Sequence, residues 1–247
     1  MDGSGQRRRK PKSLNLFQSI FFVLLVLVAG YVLLRSPFFE VKKVLVRGNH
    51  FLSEERIRSV ADIGLGVNIF KLDLASAAAN LKLIPMLKEA QITRTLPSTM
   101  VITVKERVPL GLLPTGEGFI EVDEEGVCLI KAGAGVPGLP VITGVQGEVA
   151  DLGQAVKSEK LGDALAVVKG LPAGTVANLS EVHVDEDGQI KIYTLEGTQC
   201  RFGLPVDIQE KGAIFAQLLE ELRKQGAKVN YIDLTCAGQP VIYYKSN

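Results

Sequence analysis

The feature that most constrains this chain is a run of residues without a single charge between Lys12 and Arg35. The run extends from Ser13 to Leu34 and contains 22 residues. A helix rises about 1.5 Å per residue, so a run of this length can cross a hydrocarbon core of about 30 Å. Its centre, residues 20–29, consists only of Phe, Val, Leu, Ile and Ala. We therefore predict a transmembrane helix over residues 13–35.

The residues in front of this helix, 1–12, form a basic tail. It carries Arg7, Arg8, Arg9, Lys10 and Lys12 against Asp2 alone. Positive charge beside a first membrane helix tends to remain in the cytoplasm. The sequence thus predicts a single-pass type II protein of the cell membrane, with residues 1–12 as a cytoplasmic tail and everything after Arg35 outside the cytoplasm.

A cleaved signal peptide is the alternative reading of this N-terminus, because it also begins with basic and then apolar residues. Its apolar stretch is about 7–15 residues long and ends at small residues. Here the small pair Ala29-Gly30 is followed by more apolar chain, Tyr31 to Leu34. We favour a retained anchor, and a mature N-terminus near Gly30 would be the evidence for cleavage.

Charge and cysteine content restrict what the rest of the chain does. Residues 1–12 carry a net charge of +4, so the remaining residues carry −3 of the total of +1. They contain no patch of Lys and Arg interleaved with aromatic residues, so we expect no binding to nucleic acid. Cys128, Cys200 and Cys236 are widely spaced and form no C-x-x-C motif. We expect small buried side chains rather than a disulfide framework or a zinc site.

Turn signals and apolar periods after the anchor predict the order β-α-α-β-β. A strand over residues 44–46 ends at Gly48-Asn49, and Ser53 is placed to cap a first helix. A second helix begins near Asp73 and ends before Pro85. Two strands follow, over residues 88–95 and 100–107.

The last of these strands has an alternating pattern. Three apolar residues, Met100, Ile102 and Val104, alternate with a second set, Val101, Thr103, Lys105 and Arg107. Successive side chains of a strand point to opposite faces. We therefore expect the first set to be buried against the two helices and the second set to be exposed.

The second half of the chain reads as an α+β unit on its own residues. One hairpin is predicted around residues 123–126 and another around Asp187-Gly188. A short helix over residues 158–169 and a long one over residues 207–225, which ends at Gly226, have apolar residues at helical spacing. Strands with helices on one face make an α+β domain.

Three runs after the anchor then resemble a known family. FFEVKKVLVRGNHFLS, GLGVNIFKLD and LPSTMVITVKERVPLGLL resemble, in this order, the polypeptide-transport-associated (POTRA) domain in the form found in the cell-division proteins FtsQ and DivIB. FIEVDEEGVCLI, LPVITG and GAKVNYIDLTCAGQPVIYYK look like the β domain of that family. The resemblance implies a POTRA domain over residues 36–109 and a β domain over residues 110–245.

This resemblance implies a non-enzymatic divisome scaffold in cell division and septum formation, located at the division septum. The family is associated with FtsL and with FtsB or DivIC, which link it to septal peptidoglycan synthesis and its synthases. It further implies that the C-terminal strand edge binds a partner. The matching positions here are Thr235, Cys236, Ala237, Gly238, Val241, Ile242, Tyr243 and Tyr244.

An edge strand offers free N–H and C=O groups that a partner strand can complete. Proline removes one N–H, so it should impair such binding more than a change of side chain would. We expect Val241 or Tyr243, whichever points its N–H outward, to be the sensitive position.

Other motifs do not indicate a cofactor, a metal or a reaction centre. Gly133 to Gly138 fits G-x-G-x-x-G, but Pro137 and the following strand pattern prevent the helix that a dinucleotide site requires. His50 and His183 have no metal-ligand spacing. Two other functions remain as alternatives: a POTRA-type adaptor for protein export, and a membrane-anchored cell-wall hydrolase.

Overall fold

The structure is a computed structural model that describes residues 16–133, 135–145, 150–227 and 229–244. The predicted basic tail, residues 1–12, and the charge signal that it carries lie outside the described residues. The first helix, α1, spans Leu16–Leu34. From Phe17 onward it is not buried against any other element, and it is long and apolar enough to cross a membrane. It is followed by one turn of 3-10 helix, Pro37–Phe39.

The predicted order β-α-α-β-β is confirmed. The elements are β1 (Lys43–Arg47), α2 (Glu54–Ala61), α3 (Leu74–Leu81), β2 (Leu87–Thr95) and β3 (Thr99–Glu106). The predicted cap of the first helix is present, since the Ser53 side chain accepts a hydrogen bond from the Arg56 N–H. The second helix begins next to Asp73, as predicted, and the Asp73 carboxylate accepts from the N–H groups of Ala75 and Ser76. Such caps satisfy N–H groups that have no partner inside a helix.

Strand β3 lies at the centre of a three-stranded sheet, parallel to β1 and antiparallel to β2. Its residues Met100, Ile102 and Val104 are buried against the two helices, as predicted. Val101 was predicted to be exposed, but it is also buried. As a member of the central strand it stands between Leu45 of β1 and Thr93 of β2, which shield it on both sides.

The second sheet has nine strands, ordered β12-β11-β10-β9-β8-β7-β4-β5-β6. In chain order its elements are β4 (Gly111–Thr115), β5 (Gly118–Val122), β6 (Cys128–Ala132), β7 (Val141–Thr143), α4 (Glu159–Gly170), α5 (Ala173–Val176), β8 (Leu179–Val184), β9 (Ile190–Thr194), β10 (Gln199–Gly203), α6 (Ile208–Gln225), β11 (Val229–Asp233) and β12 (Val241–Tyr244). Three of the pairs, β4 with β7, β7 with β8 and β10 with β11, are parallel.

Both predicted hairpins and both predicted helices of this α+β unit are present. Helices α4 and α6 bury Leu161, Leu165 and Phe215 in one core with the inward side chains of the sheet. The predicted boundary between residues 36–109 and 110–245 stays a prediction, although β3 of the small sheet ends at Glu106 and β4 of the large sheet begins at Gly111.

A compact junction joins the two sheets. Arg107 was predicted to be an exposed residue, but its guanidinium forms ion pairs with the buried Asp123 and with Glu125 of the β5–β6 turn. Lys88 of β2 forms a further pair with Glu125 at 2.8 Å. Met86, Val127 and Leu129 make a small apolar cluster at the same place. The turn that the sequence predicts as a hairpin tip is therefore the contact between the sheets.

The prediction that all three cysteines are buried holds for Cys128 and Cys200 but is wrong for Cys236, which is exposed. Desolvation by burial raises the pKa of the Cys128 and Cys200 thiols. Cys236 lies in the loop after β11, where the chain leaves the core.

Glu106, at the end of β3, is a buried carboxylate that the sequence did not single out. It accepts three backbone hydrogen bonds, from the N–H groups of His50, Phe51 and Leu52, at 2.9, 2.7 and 2.9 Å. Burial alone would raise the pKa of Glu106, but the three N–H donors lower it below its usual value. The ionised carboxylate thus holds the loop between β1 and α2.

Replacing Glu106 with Gln should destabilise the segment of residues 36–247 by about 1–3 kcal/mol at neutral pH, because an amide NH₂ would face a backbone N–H donor. A lowered folded-state pKa stabilises the fold above the unfolded value, near 4.5, and this contribution disappears as the pH falls through the folded pKa. The difference between wild type and Glu106→Gln should therefore shrink in acid. Denaturant unfolding between pH 7 and pH 3 measures it.

Glu89→Gln is the matched control, since Glu89 lies on β2 with an exposed side chain. We expect that substitution to change stability by less than about 0.5 kcal/mol across the same range. A gap between wild type and Glu106→Gln that stays constant down to pH 3 would show that ionised Glu106 does not hold the loop.

Candidate partner-binding edge

The C-terminal edge proposed from the sequence is an edge strand in the structure, but it is shorter than predicted. Strand β12 spans Val241–Tyr244 and lies at the end of the nine-stranded sheet, beside β11 alone among the described strands. Residues 235–240 form a loop rather than part of the strand. The predicted set is thus divided: Thr235, Cys236, Ala237 and Gly238 lie in the loop, and Val241, Ile242, Tyr243 and Tyr244 lie in the strand.

At the start of the loop, where the chain leaves β11, a side chain accepts hydrogen bonds from a residue two positions later. The Asp233 carboxylate accepts hydrogen bonds from the Thr235 N–H at 3.0 Å and from the Thr235 hydroxyl at 2.7 Å. Farther along, the Gln239 N–H donates to the Cys236 carbonyl at 3.2 Å. These bonds turn the chain so that β12 returns antiparallel to β11. Thr235 therefore positions the edge strand rather than offering backbone groups of its own to a partner strand.

The directions of the backbone groups in β11 follow from one hydrogen bond made by Leu234, the residue that comes directly after the strand. The Leu234 N–H donates to the carbonyl of Arg201 in β10 at 2.8 Å. Backbone groups alternate in direction along a strand, so those of Ile232 also face β10, whereas those of Tyr231 and Asp233 face β12.

The residues of β12 opposite these two positions are Tyr243 and Val241. Their N–H groups therefore point inward, toward β11. The Ile242 N–H, between these two positions, points outward. Val241 and Tyr243, the two positions predicted from the sequence, therefore do not have outward N–H groups. The sequence indicates that N–H directions alternate along the strand, but it does not show which residues of β12 face β11.

Aromatic and cationic side chains form a row across the last three strands. The Tyr243 ring stacks on the Tyr231 ring with a centroid separation of 4.2 Å and an interplanar angle of 21°. The Arg201 guanidinium lies 4.0 Å from the centroid of Tyr231 on its other side. Desolvation, and then the neighbouring Tyr243, raise the pKa of the Tyr231 hydroxyl. The row holds β12 against the sheet while leaving much of Tyr243 exposed.

Strand β12 differs from other edges in the described chain by having no charged residue. Val241, Tyr243 and Tyr244 are 45%, 47% and 58% exposed. Charged side chains commonly protect edges from unwanted pairing. Both edges of the small sheet carry them: β1 begins with Lys43 and ends with Arg47, and β2 contains Lys88, Glu89 and Arg94. The opposite edge of the large sheet, β6, is partly covered by hydrogen bonds to residues 153–154.

The remaining sequence motifs do not form a reaction centre in the described part of the chain. The segment that fits G-x-G-x-x-G lies between β6 and β7, where the described residues form no helix. No group of three or more potential metal ligands occurs among the residues that the structure describes.

One hydroxyl–imidazole contact does occur, between Thr143 and His183 Nδ1 at 2.8 Å. The Thr143 hydroxyl donates to Glu181 at 2.5 Å, and that carboxylate lies 3.9 Å from the same ring nitrogen. In a catalytic triad the acid and the nucleophile occupy opposite nitrogens of the imidazole. Here both lie at Nδ1, so the arrangement is a polar contact between β7 and β8 rather than a triad.

The sequence reasoning missed Tyr231 and Arg201. The alternation of side chains along a strand places Tyr231 and Asp233 on the same face of β11, and this could have been predicted from the sequence. Their contact with Arg201 depends on the parallel pairing of β10 with β11, however, and those strands are separated in the chain by the whole of α6.

Comparison with known families gives two matches that together span most of the chain. A family model described as "POTRA domain, FtsQ-type" matches residues 39–107, and one described as "Cell division protein FtsQ/DivIB, C-terminal" matches residues 111–235. The second match ends at Thr235, before β12 begins.

Similar curated proteins are named as cell-division proteins. The chain is 32% identical to "Cell division protein FtsQ" of Geobacter sp. (strain M21), covering 77% of this chain and 71% of that protein. It is 25% identical to "Cell division protein DivIB" of Clostridium botulinum (strain Loch Maree / Type A3), covering 91% and 89%. A solved structure of the major extracytoplasmic domain of DivIB from Geobacillus stearothermophilus matches 48% of this chain and 92% of that domain, with 14% identity and a TM-score of 0.35.

Proposed function

Because the chain belongs to the FtsQ/DivIB family of cell-division proteins and thus has a role in cell division, we propose that it acts there as a non-enzymatic scaffold of the divisome. It is anchored in the cytoplasmic membrane by α1, with residues 1–12 inside and the two sheets outside. It collects partners at the division septum and links them to septal peptidoglycan synthesis.

The partners that we propose are membrane proteins of the FtsL kind and of the FtsB or DivIC kind. One of them adds a strand to β12 and continues the nine-stranded sheet. The observation that supports this most directly is the uncharged edge: three of the four residues of β12 have large side chains that are at least 45% exposed. An edge of this composition favours association with another strand unless something covers it.

A binding role is supported by the exposed and uncharged side chains of β12. Among the described residues, no group of three or more potential metal ligands occurs. The contact of Thr143 with His183 does not have the arrangement of a catalytic triad, because Thr143 and Glu181 both lie at the same nitrogen of the imidazole. Neither alternative function gains support from a particular observation: an export adaptor would combine several POTRA repeats with a membrane barrel, and a hydrolase would need a metal or an activated nucleophile.

Affinity isolation from dividing cells tests this function. A tagged full-length protein, crosslinked before lysis, should co-isolate proteins of the FtsL kind and the FtsB or DivIC kind, because the edge strand is occupied during septum formation. A tagged chain that ends at Gln239, and so lacks β12, should lose the FtsB or DivIC protein while still partitioning with membranes. Recovery of both partners at equal yield from the two chains would remove β12 from the proposed function.

A further inference from the structure

The small sheet has two ends, and the course of the chain places its loops at one or the other. Strand β1 leads away from α1, α2 returns, α3 leads away again and β2 returns. The loop between α2 and α3 and the turn between β2 and β3 therefore lie at the end where α1 arrives. Hydrogen bonds agree with this placement: the Val41 N–H donates to the Val67 carbonyl, and the Lys42 N–H donates to the Ser98 carbonyl.

The exposed apolar side chains of this unit are unevenly divided between its ends. Residues 36–109, all of which the structure describes, contain eight exposed large apolar side chains. Five of them stand at the end near α1: Phe38, Leu65, Val67, Phe70 and Leu96. We call these five the juxtamembrane patch. The other three, Phe51, Leu83 and Val108, lie at the far end, toward the large sheet.

The patch is fixed to the end of α1 by direct contacts. The Asn68 side chain donates a hydrogen bond to the carbonyl of Leu34, the last residue of α1, at 2.7 Å. Phe39 packs on Phe38 with a centroid distance of 5.1 Å and on Phe70 at 5.3 Å. Phe39 in turn packs against the buried core of the small sheet. The patch is thus part of the folded unit.

The length of α1 places this contact at the membrane surface. Its 19 residues rise about 28 Å, close to the thickness of about 30 Å of a hydrocarbon core. Leu34 then lies at the boundary between acyl chains and headgroups. The Arg35 guanidinium lies 4.6 Å from the Tyr31 ring centroid. Cationic and aromatic side chains of this kind commonly occupy the boundary.

We propose that the juxtamembrane patch is a lipid-binding surface, seated in the headgroup and upper acyl region of the outer face of the membrane. The proposal rests on the membrane anchoring proposed above. Apolar side chains flanked by cations, here Arg35 and Lys71, partition about 5–10 Å into this region. The occupant is phospholipid rather than protein, because hydrogen bonding to the end of α1 keeps the patch beside the bilayer whether or not a partner is present. The lipid contact restricts the tilt of the small sheet.

The chain contains no tryptophan, so single tryptophans can report the depth of chosen positions. The full-length protein is reconstituted in vesicles of phosphatidylcholine and phosphatidylglycerol, with and without bromine on the phosphatidylcholine acyl chains. Phe70→Trp should emit at shorter wavelength than tryptophan in water and should lose intensity in brominated vesicles. Phe51→Trp is the matched control: Phe51 is also exposed but lies at the far end, so its emission should be that of water and should not be quenched.

Two further variants separate the possible failures. Phe22→Trp, within α1, reports the membrane span itself, and Leu65→Trp repeats the patch measurement at a second exposed residue of the patch. Quenching of Phe22→Trp without quenching of Phe70→Trp or Leu65→Trp would overturn the lipid surface but leave the anchor intact. Absence of quenching at Phe22→Trp would overturn both. Emission at short wavelength that bromine does not quench would assign the patch to a protein contact and overturn the proposal.

Discussion

Replacing Ile242 with proline is expected to abolish binding of the proposed FtsB-like or DivIC-like partner while the segment of residues 36–247 stays folded. The Ile242 N–H points away from β11, so its removal costs no hydrogen bond within the sheet. It does remove a donor that an added partner strand requires. Proline also hinders approach of that strand. Circular dichroism together with a binding titration on residues 36–247 measures the two properties in the same samples.

Two control variants make this prediction specific. Ile242→Ala removes the same side chain, which packs partly against the core, but keeps the N–H, and it should bind with little change. Val241→Pro removes an inward N–H and should loosen β12 from β11, with a loss of stability that Ile242→Pro does not show. A folded Ile242→Pro protein that binds as tightly as Ile242→Ala would rule out strand addition at this edge.

The second large effect is expected in the small sheet, where Ile102→Ala should reduce the free energy of unfolding by about 2–5 kcal/mol. Ile102 is fully buried and stands between Val46 of β1 and Ile92 of β2. Its truncation leaves a cavity at the centre of a sheet of only three strands, which has few ways to close it. Denaturant unfolding of residues 36–247 measures the loss.

Thr103→Ala is the neighbouring control, since Thr103 is exposed on the other face of β3. Its cost should remain within about 0.5 kcal/mol. Val101→Ala should fall between the two, because Val101 is buried on that other face. Equal losses for Ile102→Ala and Thr103→Ala would mean that the faces of β3 are assigned incorrectly.

Local signals in the sequence predicted the elements of this fold well. Ser53 caps its helix as expected, and the next helix begins at the predicted Asp73, because a cap involves residues only two or three positions apart. Gly226 ends α6 in the left-handed conformation that glycine favours. The faces of β3 were correct for Ile102 and wrong for Val101, since alternation gives the direction of a side chain but not what covers it.

Features that depend on distant parts of the chain were not predictable in the same way. Glu106 meets the N–H groups of residues 50–52, and Arg107 meets the turn after β5. The resemblance to the FtsQ/DivIB family implied the candidate edge strand, yet the beginning of β12 at Val241 depends on the turn that Thr235 makes with Asp233. Which residues of β12 have outward N–H groups depends on the register of β12 against β11, and a single sequence does not reveal this register.

The junction between the two sheets has a mechanical consequence. Only residues 107–110 connect β3 to β4, and Arg107 itself is held by Asp123 and Glu125. This short, ion-paired connection restricts rotation of one sheet against the other, so under the proposed anchoring the distance of β12 from the bilayer is set by the folded protein rather than by a flexible tether. Under the proposed strand addition, a partner anchored in the same membrane must carry its pairing segment at a matching height, so the number of residues between its own anchor and that segment becomes a criterion for recognition.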